Sequence, residues 1–210
     1  MRKVLANIPA GTAVLEGVLE LPARPAGVVL FAHGNGSSRF SPRNNMVAAA
    51  LRAAGIATLL PDLLTREEDA HRSSRFDIDL LTARLHAAAA WLSTEPLSAP
   101  LPPGVFGAST GAAAALRLAA DSGSSVAAVV SRRGRPDLGG AALEQVLAPT
   151  LLVVGGADTA VIELNRLALA ALQCEKALEI VPGATHLFEE EGALERVAEL
   201  ACAWFIRHFP

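Results

Sequence analysis

Continuous runs of apolar residues recur along the chain, and amphipathic stretches separate them. Runs rich in Val, Ile and Leu, without alternating polar positions, are typical of strands buried on both faces of a sheet. Such runs predict strands over residues 27–34, 56–62, 104–108, 126–131, 149–156 and 176–183. An earlier segment, 12–22, alternates and carries a glycine in mid-run, which predicts a hairpin or a bent edge strand.

Helical patterns follow nearly every one of these strands. Helices are predicted over 43–54, 77–93, 109–121, 161–172 and 192–209, whereas the polar stretch 65–75 predicts a loop. Strands that alternate with helices predict parallel strands joined by right-handed crossovers, with helices on both faces of the sheet. The predicted fold class is therefore α/β, a doubly wound and mostly parallel sheet, in a single domain over residues 1–210.

The connection between two of the predicted strands limits the shape of any binding cleft. Only residues 132–148 separate the strand at 126–131 from the one that follows it. That length allows a loop and one short helix but no cap domain. We therefore expect a shallow, open cleft that suits small substrates.

Composition narrows the classes of partner. Hydrophobic residues make up 51% of the 210 residues and charged residues 19%, as in a compact globular protein. The net charge of -3 gives no electrostatic reason to expect nucleic acid or an anionic membrane as a partner. The N-terminal segment lacks the apolar run of a signal peptide, and no uncharged apolar stretch reaches 18 residues, so we expect a cytoplasmic protein.

Three side chains able to form a catalytic triad follow predicted strands. In doubly wound sheets ligands bind at the carboxyl ends of the strands, and Ser109, Asp158 and His186 each come shortly after one. A serine needs a base to become a nucleophile, and an acid orients that base. Taken singly, the serine could cap a helix, the aspartate could be a turn residue and the histidine could lie on the surface. Together, in the order Ser, Asp, His, they predict a triad.

The serine lies in the stretch "GASTG", between a predicted strand and a predicted helix. A G-x-S-x-G stretch in this context forms a tight turn that exposes the hydroxyl above the sheet. The amide of Thr110 would then lie at the helix N-terminus, where unpaired donors favour negative charge. A second donor for an oxyanion should come from the loop "HGNGSS", and we expect it to be the amide of Asn35, which is flanked by two glycines.

The stretches "HGNGSS", "GASTG", "GGADT" and "GATHLFEE" resemble the α/β-hydrolase fold, and most closely the dienelactone-hydrolase-like group of small bacterial serine hydrolases. The resemblance extends from about residue 12 to the end of the chain and implies catalytic roles for Ser109, Asp158 and His186. It places the oxyanion role on the loop that contains Asn35. The better-known dienelactone hydrolases carry cysteine as the nucleophile, so the serine here favours ordinary ester hydrolysis over hydrolysis of dienelactone.

Two further residues have alternative interpretations. His33 could touch the substrate, although in the resembling proteins this position mostly shapes the oxyanion loop. Asp137 is a rival to Asp158, because some α/β-hydrolases take the triad acid from the end of the preceding strand. His71 and His86 lack partners at metal-ligand spacing, so neither a metal nor any other cofactor is expected.

Three arginines follow the strand at 126–131. Arg132, Arg133 and Arg135 could form a guanidinium clamp for a carboxylate or phosphate of the substrate. They could equally belong to a solvated basic loop, or pair with aspartates that shape it.

The sequence therefore predicts a serine carboxylesterase that acts on small or short-chain acyl esters through an acyl-enzyme. An acyltransferase or perhydrolase with the same triad remains an alternative, as does a binding protein that has kept the hydrolase fold. The expected partner is a small-molecule ester, and the protein is expected to be a monomer or a homodimer.

Overall fold

Eight strands form one sheet in the structure, which is a computed structural model that describes residues 1–210. The strands are β1 (Arg2–Ala10), β2 (Ala13–Leu21), β3 (Val28–Ala32), β4 (Ala57–Pro61), β5 (Pro103–Ala108), β6 (Ala128–Arg132), β7 (Thr150–Gly155) and β8 (Lys176–Val181). Every residue of β3, β4, β6 and β7 is buried, as expected for strands covered on both faces.

The strand order is β1-β2-β4-β3-β5-β6-β7-β8. The six strands from β4 to β8 in this order run parallel, whereas β2 is antiparallel to both β1 and β4. The chain goes from β3 outward to β4 and then crosses to β5 on the opposite side. This reversal opens a crevice at the carboxyl ends of β3 and β5, where doubly wound sheets bind ligands.

Helices cover both faces of the sheet, as the sequence predicted. They are α1 (Pro42–Ala53), α2 (Arg66–Ala70), α3 (Arg72–Arg75), α4 (Ile78–Thr94), α5 (Thr110–Ala120), α6 (Thr159–Ala171) and α7 (Ala193–His208). One core cluster packs α4, α5 and α6 on one face, and a second packs α1 and α7 on the other. The α/β fold class and the mostly parallel sheet are therefore confirmed.

Two local predictions need correction. The stretch 65–75, predicted as a loop, contains α2 and α3, because Thr65 and Glu68 form a capping box that starts a helix. Thr65 Oγ1 accepts the amide of Glu68 at 3.2 Å, and Glu68 Oε2 accepts the amide of Thr65 at 2.9 Å. The segment 12–22, predicted as a hairpin or a bent edge strand, is the single strand β2; the edge strand is β1, which the sequence analysis missed and which pairs with β2.

The connection after β6 is short and carries no cap. It contains 3-10 turns over Pro136–Gln145, with a break at Gly140, where φ is 59°. None of the helices is both long and apolar enough to cross a membrane.

Candidate active site

Ser109 lies in a strained turn between β5 and α5. Its φ of 53° and ψ of -125° place a non-glycine residue outside the usual regions of backbone space. A β-carbon on Gly107 would lie 2.5 Å from Cα of Ala112, and one on Gly111 would lie 2.1 Å from the carbonyl oxygen of Ala32. Only glycine therefore fits at these two positions. The Ser109 side chain makes no capping hydrogen bond to α5, which removes the helix-cap interpretation.

The loop after β3 lies directly against this serine. A β-carbon on Gly34 would lie 2.5 Å from Cβ of Ser109, so the loop backbone can approach the hydroxyl only because residue 34 is glycine. The amides of Asn35 and Thr110 make no hydrogen bond within the protein. Thr110 is the first residue of α5, where the helix dipole adds to the pull of its amide on negative charge. Each of the two segments that meet at Ser109, the loop after β3 and the start of α5, therefore carries an unpaired donor.

Asp158 and His186 are hydrogen-bonded to each other. The distance from Asp158 Oδ2 to His186 Nδ1 is 2.5 Å, and the aspartate side chain is 14% exposed whereas the histidine is 46% exposed. This contact orients the imidazole through Nδ1 and leaves Nε2 without a hydrogen bond to the protein. Asp137, the rival acid, instead accepts three hydrogen bonds from the guanidinium of Arg135, at 2.9, 3.2 and 2.8 Å.

Backbone hydrogen bonds join the loop that carries Asp158 to the loop that carries His186. The amide of Gly156 donates to the carbonyl of Val181 at 2.8 Å, and the amide of Ala157 donates to that of Ala184 at 2.9 Å. A β-carbon on Gly155 would lie 2.4 Å from the carbonyl oxygen of Ala184. The two loops thus approach as closely as backbone allows, which fixes the distance between acid and base.

The loop of His186 is also held from its far side. Glu190 Oε2 accepts the amide of Thr185 at 3.0 Å, and hydrogen bonds from Thr185 hold the pKa of Glu190 below its ordinary value. Phe188 is buried in the core with a positive φ of 55°. No hydrogen bond joins Ser109 to His186, and such contacts often tighten only when substrate binds.

His33 is a support for the oxyanion loop. It is buried, its Nε2 accepts the amide of Leu63 at 2.9 Å, and its Nδ1 lies 3.3 Å from the carbonyl of Gly34. Burial lowers the pKa of His33, so the ring is the neutral tautomer that donates from Nδ1 and accepts at Nε2. With both ring nitrogens engaged, no polar atom of His33 is free for a substrate.

Sequence reasoning missed an ion-pair network that holds the same loop. The amide of Arg39 donates to Asp62 Oδ1 at 2.6 Å, and its guanidinium pairs with Asp62 and Glu16. The segment α2–α3 was missed as well: the carbonyl of Arg75 accepts from Thr110 Oγ1 at 3.5 Å. The charges of Arg39 and Asp62 were visible in the sequence, but their pairing depends on how β3 and β4 lie side by side.

The three arginines at and after the end of β6 have different surroundings in the structure. Arg132 is 1% exposed, and its guanidinium donates to Asn44 Oδ1 at 3.1 Å, so it does not line the cleft. The prediction that Arg132 contacts the substrate is therefore wrong, because the Arg132 side chain points inward towards α1. Arg133 is half-buried with φ of 43°, and Arg135 pairs with Asp137. No three histidine, cysteine or carboxylate side chains come together to hold a metal ion.

The chain matches the family model described as the dienelactone hydrolase family over residues 15–208. The crystal structure of a dienelactone hydrolase from Anabaena variabilis is 52% identical to it, with a TM-score of 0.96, and the match covers 100% of this chain and 99% of that one. The esterase domain of a Rhodothermus marinus protein has a TM-score of 0.80 at 21% identity, with 100% of both chains covered, and shares the fold.

A protein of Mycobacterium tuberculosis strain H37Rv that bears the name of a phosphoribosyl transferase is 57% identical over 202 residues. The match covers 96% of this chain but only 46% of that protein, so the chain spans about half the length of this curated relative. The activity in its name is that of a longer protein.

Proposed function

The chain belongs to the dienelactone hydrolase family, and on that premise we propose that it is a serine carboxylesterase that hydrolyses small or short-chain acyl esters. Ser109 is the nucleophile, His186 the general base and acid, and Asp158 the acid that orients the imidazole. The amides of Asn35 and Thr110 form the oxyanion hole. Membership of a hydrolase family and the fold shared with esterases support the reaction class.

The reaction runs in two halves. His186 Nε2 takes the proton of Ser109 as the hydroxyl attacks the ester carbonyl, and the two amides stabilise the oxyanion of the tetrahedral intermediate. His186 then gives its proton to the leaving alcohol, and an acyl-enzyme remains on Ser109. Water enters, loses a proton to His186 and attacks the acyl carbon, so that the acid is released and the serine regenerated.

One observation carries the proposal more than any other. The strained turn at Ser109 and the Asp158–His186 hydrogen bond of 2.5 Å occur at the same edge of one sheet. Strain of this kind costs roughly 1–3 kcal/mol and persists where function requires it. A binding protein without chemistry would have no need of the strained serine or of an oriented histidine.

The preference for small acyl groups follows from the absence of an inserted cap. The connection after β6 contains only the short 3-10 turns of Pro136–Gln145, which leave His186 46% exposed. A long acyl chain would find no apolar cover, so added methylene groups gain little binding energy.

The test is hydrolysis of p-nitrophenyl esters from acetate to decanoate. We expect kcat/KM to fall as the acyl chain lengthens, and activity to vanish in Ser109→Ala while circular dichroism and Tm stay near wild type. A rate that peaks at long chains would contradict the open cleft. Equal activity in both proteins would contradict the nucleophile, and added alcohol separates hydrolysis from acyl transfer by its ester product.

A further inference from the structure

Arg132 is a buried cation with no carboxylate partner. Its guanidinium donates one hydrogen bond, to Asn44 Oδ1, while its Nε and Nη1 atoms are buried without any partner. Burial lowers the pKa of Arg132 to about 9, so the side chain still carries its charge at neutral pH. A buried charge is normally compensated by an opposite charge, and this one is not.

Two further arginines lie beside it. The charges of Arg133 and Arg43 both act on Arg132, and each lowers its pKa further. Arg133 is itself half-buried with an unpartnered Nε, and burial together with Arg43 lowers its pKa. Arg43 has one ion pair, with the exposed Glu189 at 3.3 Å. Three guanidinium groups thus repel one another at one place.

Besides Glu189, a second carboxylate close to this cluster is engaged elsewhere. Asp158 acts on Arg133 through its charge, but its Oδ2 atom is hydrogen-bonded to His186. Arg43 and Asn44 stand in the first turn of α1, a helix of 12 residues whose N-terminus adds positive potential. The buried guanidinium of Arg132 is directed at this turn through Asn44.

We propose that Arg43 and Arg133, with Arg132 beneath them, form a binding site for an oxyanion group on the His186 side of the cleft. The ligand is a carboxylate or a phosphate, and Arg43 and Arg133 contact it while Arg132 supplies charge from below. In the enzyme, this anion is part of the ester substrate, an extension that rests on the proposed function. Bound anion relieves the repulsion among the three arginines.

The first test measures binding without catalysis. In Ser109→Ala, inorganic phosphate or adipate at about ten times its Kd should raise Tm by about 3–6 °C over sodium chloride of equal ionic strength. Arg133→Gln and Arg43→Gln should each abolish most of this rise. Arg135→Gln is the matched control, because it removes a guanidinium from the same loop that is already paired with Asp137.

The second test compares two esters of equal chain length. The mono-p-nitrophenyl ester of adipic acid carries a terminal carboxylate where p-nitrophenyl hexanoate carries a methyl group. The wild type should favour the anionic ester in KM, and Arg133→Gln should lose at least about tenfold on it while the neutral ester is unaffected. A larger Tm response to phosphate than to adipate would assign the site to a phosphate-bearing ester.

The outcomes separate the two proposals. If neither anion raises Tm, or if Arg133→Gln and Arg43→Gln respond like Arg135→Gln, the anion site is wrong. If Ser109→Ala binds the anion as described but hydrolyses esters like the wild type, the anion site stands and the proposed catalytic role of Ser109 fails.

Discussion

At the scale of single residues, neighbouring groups hold Ser109 in a backbone conformation that serine does not favour on its own. The positive φ of Ser109 would relax in a free peptide. The carbonyl of Ser109 accepts the amides of Ala112 at 3.1 Å and Arg135 at 3.0 Å, and these bonds fix the turn from two sides. The backbone amide and carbonyl of Ser109 are thus hydrogen-bonded, whereas its hydroxyl is free to react.

His33 gives a prediction at the same scale. At pH 7.5, His33→Ala should cost roughly 1–3 kcal/mol in the free energy of unfolding, because the buried amide of Leu63 loses its acceptor. Burial lowers the pKa of folded His33 below 6.5, so on acidification the unfolded chain takes up the proton first. The stabilisation is therefore complete above about pH 6.5 and is lost as the pH falls through the folded pKa.

Urea unfolding of wild type and His33→Ala between pH 7.5 and 5 measures this difference. The two stabilities should converge as the pH falls. His33→Gln, which keeps an acceptor but does not titrate, should recover part of the loss at pH 7.5. A difference that stays constant across the whole range would show that His33 does not act through its neutral form.

The candidate triad was accessible from the sequence because each member follows a strand by only a few residues. Glycines around Ser109 and before Asp158 indicated the turns, and the order Ser, Asp, His along the chain indicated a triad. The burial of Arg132 could not be predicted in this way. Whether a residue at the end of β6 turns inward or outward depends on the face it occupies and on Asn44, which comes 88 residues earlier.

At the scale of elements, the site depends on how closely α5 approaches β3. A β-carbon on Gly111 would lie 2.1 Å from the carbonyl oxygen of Ala32 and 2.6 Å from that of His33. Gly111→Ala should therefore push the N-terminus of α5 away from the oxyanion loop. We expect a loss of roughly 1–3 kcal/mol in stability and of about 100-fold in kcat/KM.

Gly139→Ala is the matched control for this substitution. Its new β-carbon would meet only the side chain of Leu143, at 3.2 Å, and would not approach the backbone of β3 as that of Gly111→Ala does. Stability and kcat/KM should both stay near wild type. If the two variants behave alike, the close approach of α5 and β3 is not what positions the oxyanion hole.

The elements that the sequence analysis missed have weak apolar patterns. In β1 the buried positions include Ala6 and Ala10, which give a weak alternating signal, and Pro9 argues against a strand. The helix α2 has no buried residue at all, so its sequence has no apolar periodicity. The capping box of Thr65 and Glu68 is the one sequence signal that indicates this helix. β1 is defined by its pairing with β2 across a tight turn, and α2 also by the ion pair of Glu68 with Arg84.

At the scale of the whole molecule, the order of the strands brings the candidate site together. Ser109 follows β5, the oxyanion loop follows β3, and these two strands are neighbours at the point where the order reverses. Alternation along the chain predicted parallel strands but not their order, because the order depends on which faces pack together. Ion pairs such as Arg39–Asp62 then secure the loops that the order has made neighbours.

Covalent labelling with diisopropyl fluorophosphate tests the central claim most directly. An activated serine attacks the phosphorus and expels fluoride, so intact mass and peptide mapping should show one adduct per chain, on Ser109. Ser109→Ala should take up no label, and folded His186→Ala should react far more slowly, because the base is gone. Labelling at another residue, or equal labelling of Ser109→Ala, would contradict the account.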